Sequence, residues 1–363
     1  MNKTGFGFLR LPMTADKQID YTALNPLVDR FLELGGTYFD TAYTYLKGLS
    51  EEAIRKSLVE RYPRERFRLA DKLPGYKAKS YEACQAYFDE QLRRCGVTYF
   101  DVYMLHWLNG KNYAIAEEME EFRFLQECKA QGKARKIGFS YHDGPELLER
   151  ILCAHPEVDI VQLQINYLDW ESVSIQAARC YDVAVRHGKE VVVMEPVKGG
   201  SLAVLPKEAE AMLHAVRPAD SVASWAIRFA TSLEQVSVVL SGMNTMEQVE
   251  DNLRPLEPLQ AQEYTVLARC AGIIRSNTAI GCTGCGYCVP NCPAEIPIPQ
   301  YFALYNDYAR TPAEGWKMQH VYDALAERRD ISRCVGCRKC EENCPQGLGI
   351  TAYLQDVRQA FGK

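Results

Sequence analysis

Nowhere does the 363-residue chain run apolar for the roughly 20 residues that a membrane-spanning helix needs, so no membrane partner is expected. Its first residues, Met1 to Arg10, hold no sustained apolar stretch, and no secretory leader is expected. No block of Lys or Arg stands out, and the net charge is -5, which argues against nucleic acid as a partner. These absences point to a cytoplasmic globular protein that handles a small molecule. Cysteine is the one residue in excess. Of fourteen, six (Cys84, Cys95, Cys128, Cys153, Cys180 and Cys270) are scattered, and eight fall in two tight runs after residue 281. A disulfide framework belongs to secreted chains, whereas clustered thiols in a cytosolic chain point to metal.

The two runs repeat one another. Cys282-x2-Cys285-x2-Cys288-x3-Cys292-Pro293 recurs as Cys334-x2-Cys337-x2-Cys340-x3-Cys344-Pro345. This is the spacing with which a chain wraps cubane [4Fe-4S] clusters: three closely spaced thiolates bind one cube, and the fourth, before Pro, reaches the other. Cys282, Cys285, Cys288 and Cys344 are therefore paired on one cluster, and Cys334, Cys337, Cys340 and Cys292 on the other. Zinc knuckles share the first Cys-x2-Cys gap, but zinc does not need a third Cys at the same interval with Cys-Pro behind it, twice. Both motifs resemble those of bacterial two-cluster ferredoxins, with a forty-residue helical insert between them as the departure.

The first 260 residues alternate short apolar runs with helical patterns. Apolar runs end at or near Asp40, Lys72 and His106, and further strands cover 135–140, 159–165, 190–196 and 236–241. With a first strand at 4–12, that makes eight. An α/β barrel of eight parallel strands takes roughly 250 residues and keeps its chemistry at the C-terminal rim. The fold class expected is therefore α/β: a (β/α)8 TIM barrel over residues 1–260, then a small ferredoxin-like iron-sulfur domain over 261–363. Local patterning predicts helices at 21–34, 50–60 with Ser50 as N-cap, 80–95, 115–131 as a single helix, 145–154, 174–187, 221–230, and 246–252 opening at Thr245. Asp40, Lys72 and His106 would meet at one mouth, with Tyr45 on the adjoining loop.

The barrel resembles the aldo-keto reductases. The resemblance is carried by Gly7-Phe8-Leu9-Arg10-Leu11-Pro12, Phe39-Asp40-Thr41-Ala42 with Tyr45 and Ser50-Glu51, Lys72, Leu105-His106-Trp107, Ile137-Gly138-Phe139-Ser140 and Glu247-Gln248-x3-Asn252-Leu253. It implies a nicotinamide-dependent reduction of a carbonyl, an aldehyde or ketone. Tyr45 would donate the proton, Lys72 held by Asp40 would stabilise the phenolate, and His106 would orient the carbonyl. It further implies that Ser140 and Gln162 hydrogen-bond the cofactor's carboxamide and that the loop from Gly242 to Asn252 holds its adenosine end. Tyr141 stands where many members have Asn. The stretch 241–248 has no Lys or Arg for a 2′-phosphate, which argues against a strong preference for NADP over NAD. Nicotinamide passes two electrons together and each cluster one, so the alternative is a ferredoxin-linked enzyme in which a flavin bridges the two, served by a redox protein partner. A non-catalytic subunit is a third reading, against which the intact Asp40, Tyr45, Lys72 and His106 stand. Trp107, Tyr43 and Tyr141 are candidates to line the substrate pocket.

Overall fold

The computed structural model describes residues 3–173, 175–276, 279–282, 284, 286, 288–312, 315–344 and 347–362. The chain forms two compact units: Met1–Asn166 with Ala178–Val197 and Ser224–Leu259, and Tyr167–Ala177 with Lys198–Ala223 and Gln260–Lys363. No helix among the described residues is long and apolar enough to cross a membrane.

In the first unit the strands are β1 (Thr4–Gly7), β2 (Tyr38–Asp40), β3 (Arg68–Leu73), β4 (Phe100–Leu108), β5 (Ala134–Tyr141), β6 (Ile160–Gln164), β7 (Glu190–Met194) and β8 (Val236–Ser241). They close in sequence order into a barrel, every neighbouring pair parallel. The helices that cross between them begin with α1 (Tyr21–Glu33), α2 (Leu49–Ile54), α3 (Tyr81–Cys95), α4 (Gly110–Glu118), α5 (Glu121–Ala130) and α6 (Pro145–Ala154). They continue with α7 (Ala177–Arg186), α8 (Lys207–Val216), α9 (Val222–Thr231) and α10 (Met246–Leu253). Tyr38, Ala70, Val102, Met104, Ile160, Val192, Val238 and Leu240 fill one buried core cluster, the packed interior that such a barrel requires. Gly138 is needed where β5 meets β6, because a Cβ there would stand 2.2 Å from the Ile160 carbonyl oxygen.

Several local expectations are corrected. β1 ends at Gly7, not at residue 12. Ser50 lies inside α2, behind a left-handed Gly48; its hydroxyl sits 2.7 Å from that of Thr41 and donates to the Phe8 carbonyl, tying the ends of two strands. The helix expected over 115–131 is two, broken at Glu120 in a left-handed conformation (φ 53°). α8 went unread in the sequence; its apolar residues are spread around the helix, and only Ala209 and Leu213 are buried. α10 does open at Thr245, and Gln248 completes a capping box with it.

The second unit gathers α8 and the helices α11 (Ala261–Ser276), α12 (Ile298–Arg310), α13 (Gly315–Arg329), α14 (Lys339–Glu342) and α15 (Ile350–Phe361). Its core is Ile296, Ile298, Tyr301, Phe302, Leu304, Ile331, Leu354 and Val357, with Cys288 and Cys340 among the buried members. Asn306 of α12 exchanges two 2.8 Å hydrogen bonds with the backbone of Ile280, fixing the approach to Cys282.

Candidate active site and cluster ligands

Parallel registration puts the sequence-predicted residues at matching heights. Asp40 closes β2 beside Ala70, Lys72 pairs with Met104 near the end of β3, and Ser140 of β5 pairs with Gln162 of β6. Lys72 is fully buried. Its Nζ donates to both carboxylate oxygens of Asp40 (2.8 and 2.6 Å) and to the Thr41 carbonyl (2.8 Å), and it stands 4.8 Å from the centre of the Tyr45 ring. The His106 ring meets that of Tyr45 edge-on at 5.7 Å. Asp40, Tyr45, Lys72 and His106 are thus brought together at the C-terminal rim.

Their electrostatics follow from burial and pairing. Burial works against the Lys72 ammonium, but Asp40 and Tyr45 outweigh it and the lysine pKa is raised. The Asp40 carboxyl is raised by burial, with Lys72 pulling the other way. Burial likewise raises the Tyr45 phenol, while Lys72 lowers it by charge and by hydrogen bond. The phenol therefore keeps its proton at neutral pH, next to a cation that favours its loss.

A supporting layer lies behind β3. Gln91 of α3 donates to the Lys72 carbonyl (3.0 Å) and to Glu51 (3.1 Å), and accepts from the Tyr103 hydroxyl (2.6 Å). Asp71 is fully buried, accepts from the Lys72 amide (2.8 Å), and has its pKa pushed well up by burial and by Glu51. Gln91 and Tyr103 were missed in the sequence. Gln91 was findable as a polar residue in the buried stripe Cys84, Phe88, Gln91, Cys95. Tyr76, 5.4 Å from the Trp107 ring and 6.1 Å from that of His106, left no signal in its loop.

Of the residues expected to hold the cofactor, Ser140 accepts from the Trp107 amide at 2.7 Å. The Gln162 amide nitrogen points to the Met194 sulfur (3.5 Å), and its side-chain oxygen is buried without a hydrogen-bond partner among the described residues. An orphaned acceptor in that place suits a carboxamide N–H. Asn252 is buried and directs its amide nitrogen to the Ser241 hydroxyl (2.8 Å), so it braces the loop that begins at Gly242. Among the candidate pocket aromatics, Tyr141 is buried and bonds the Gly144 carbonyl (2.6 Å), which gives it a packing role. Tyr43 bonds Glu90 (3.1 Å) and packs on Arg94.

In the second unit Cys292, Cys334, Cys337 and Cys340 line one cavity with Pro293, Val335 and Arg338. Their thiols are free, and four convergent thiols are the donor set of a [4Fe-4S] cube. Cys282, Cys288 and Cys344 pack against the same apolar core, and the Cys282 sulfur accepts the Gly284 N–H at 3.4 Å; Cys285 lies outside the described residues. No sequence pattern marks Lys198, a further buried lysine. Lys198 donates to Asp169 (2.5 Å) and Asp307 (2.9 Å), and Asp307 is also held by Arg310.

The aldo/keto reductase family profile matches residues 3–271, and a 4Fe-4S dicluster domain matches residues 281–349. An aldo-keto reductase of Mycolicibacterium smegmatis is 28% identical over 65% of this chain and 80% of its own. An NADH-specific methylglyoxal reductase of Escherichia coli is 28% identical over 48% of this chain, a match spanning 57% of that protein. Among solved structures, an aldo-keto reductase from Bacillus halodurans in its holo form superposes with a TM-score of 0.61 at 24% identity, covering 74% of this chain and 91% of that one, and it attests the fold. The chain belongs to the aldo/keto reductase family as a nicotinamide-dependent oxidoreductase that carries a C-terminal 4Fe-4S dicluster domain.

Proposed function

We propose that the protein reduces a small aldehyde or ketone with Tyr45 as proton donor and with two [4Fe-4S] clusters in the second unit. The observation that carries this reading is the position of Lys72, locked on Asp40 and facing the Tyr45 ring. The nicotinamide supplies the hydride when bound. The chain's own part is to hold the carbonyl oxygen between the Tyr45 hydroxyl and the His106 ring, so that the phenolic proton moves to that oxygen as negative charge grows there. Lys72 offsets the phenolate left behind, and Asp40 keeps the lysine charged and fixed.

Gln162, whose oxygen has no partner among the described residues, and Ser140 would orient the carboxamide. NAD is the preferred nucleotide in this reading, because the stretch 241–248 offers no cation to a 2′-phosphate. Cys282, Cys285, Cys288 and Cys344 would hold one cluster, and Cys292, Cys334, Cys337 and Cys340 the other, each supplying one-electron chemistry when bound. The likeness to a methylglyoxal reductase makes a 2-oxoaldehyde the first substrate to try. The test is anaerobic turnover of methylglyoxal with NADH, NADPH or reduced flavin, following nucleotide and cluster absorbance together. NADH oxidation matched one to one by alcohol formed is the expected result; no binding of either nucleotide would refute the reading.

A further inference from the structure

The segment between Ile331 and Cys340 is turned almost wholly to solvent. Both of those residues are buried, and from Ser332 to Lys339 every residue except the half-buried Cys334 is exposed. Val335 is 73% exposed, an apolar side chain turned largely to solvent, and the Arg338 side chain is 74% exposed. Gly336 (φ 68°) and Arg338 (φ 58°) both sit in the left-handed region, so the loop is held in a defined bend. Cys337 is exposed at its crest and also lines the cavity shared by Cys292, Cys334 and Cys340.

Charge at this loop runs against the rest of the chain. Residues 328–342 carry five cations (Arg328, Arg329, Arg333, Arg338 and Lys339) and three anions, in a protein of net charge -5. Of the anions, Asp330 accepts from the Ser332 N–H (2.6 Å), and Glu341 accepts from the amide and hydroxyl of Thr351 (2.8 and 2.6 Å) and lies 4.0 Å from the Arg338 Nε. Arg329 is engaged by Glu295 (2.8 Å). What faces water is an exposed valine and thiol flanked by Arg333, Arg338 and Lys339, with Glu342 the exposed anion at the end of the segment.

We propose that this loop is the docking surface for a small acidic protein that carries a one-electron centre near its own surface. The proposal rests on the reading that Cys292, Cys334, Cys337 and Cys340 hold a cluster. Opposite charge would steer the carrier to the loop, and Val335 would seat it, over an interface of the small size that transient redox pairs use. Cys337 puts a cluster ligand at the contact, which shortens the path. One electron leaves the reduced carrier and arrives on the cluster; no bond is made or broken in either protein.

The test uses the anaerobically purified holoprotein and an acidic two-cluster ferredoxin as probe. Binding, read by calorimetry at low and at high salt, is expected to weaken at least tenfold in the triple variant R333E/R338E/K339E and to lose most of its salt dependence. A control with reversed charges on the barrel, K17E/K56E/R66E, is expected to bind within twofold of the parent. Zero-length carbodiimide cross-linking of the unmodified pair is expected to join a ferredoxin carboxylate to Lys339. Unchanged binding by the loop variant, equal loss in the control, or cross-links confined to other lysines would overturn the proposal. Iron analysis keeps the two readings apart: eight irons per chain with unchanged binding by the loop variant would overturn the docking surface alone, whereas fewer than eight would overturn the cluster assignment on which it rests.

Discussion

Each unit buries a lysine among carboxylates, and the two lysines are set to different ends. Lys72 of the barrel has one carboxylate partner, Asp40, and a neutral phenol beside it. Lys198 of the second unit has two, Asp169 and Asp307, with Arg310 balancing the surplus. In both, burial disfavours the ammonium and the neighbouring carboxylates more than restore it, so both pKa values are raised. The difference lies in what remains. Lys72 holds its charge next to the phenol proposed as the proton donor, whereas the Lys198 charge is matched by its own carboxylate partners. A buried ion pair is therefore weak evidence for function until the third neighbour is known.

The largest effects should come from breaking the barrel pair. Tyr45→Phe is expected to lower kcat for carbonyl reduction by about 10²–10⁴-fold, the range of general acid catalysis, with nucleotide affinity little changed. Lys72→Met should match that loss and also destabilise the barrel, since Asp40 would be left buried and unpaired. Adding Asp40→Asn should restore the melting temperature but not the rate, and a double variant that recovers activity would end the comparison. Because the Tyr45 phenol is raised, the parent's reduction rate should stay flat through neutrality and fall only above the ordinary phenol pKa of about 10.

Lys198→Met should cost about 3–5 kcal/mol of stability, read by denaturant unfolding of the holoprotein, with kcat within a fewfold of the parent in the folded fraction. Cys337→Ser should remove up to four irons while leaving the barrel's nucleotide binding intact, as measured by iron analysis and fluorescence titration.

A smaller effect belongs to Glu121, a carboxyl 2% exposed, packed against Gly75, whose Oε1 has no partner among the described residues. Burial raises its pKa to about 7. The folded value exceeds the unfolded one, so the contribution to stability is full below the unfolded pKa near 4.3 and is lost as pH rises through about 7. Glu121→Gln should flatten that fall and add up to about 3 kcal/mol at pH 8. Equal pH profiles for parent and variant would mean that the carboxyl is not buried as described.

The barrel was legible because its strands are short apolar runs at regular spacing and because Asp40, Lys72 and His106 each fall at or near a strand end. Thr245 gave away the start of α10 by local chemistry alone. Ser50 misled for a local reason: its hydroxyl looked like a cap, yet Thr41 and the Phe8 carbonyl, brought close only by barrel closure, compete for it. Gln91 needed the helix face to be known, and Tyr76 had no periodic context at all.

From the sequence alone came the number and order of strands, the candidate quartet Asp40, Tyr45, Lys72 and His106, and the repeated cysteine spacing, since each is encoded by residue type and its place along the chain. Tertiary structure alone decided which carboxylates surround each lysine, that the Gln162 oxygen has no partner among the described residues, and that Cys337 is exposed while Cys340 is buried. Those outcomes depend on residues tens of positions apart meeting in a low-dielectric interior, where the third neighbour sets the charge balance and no local pattern records it.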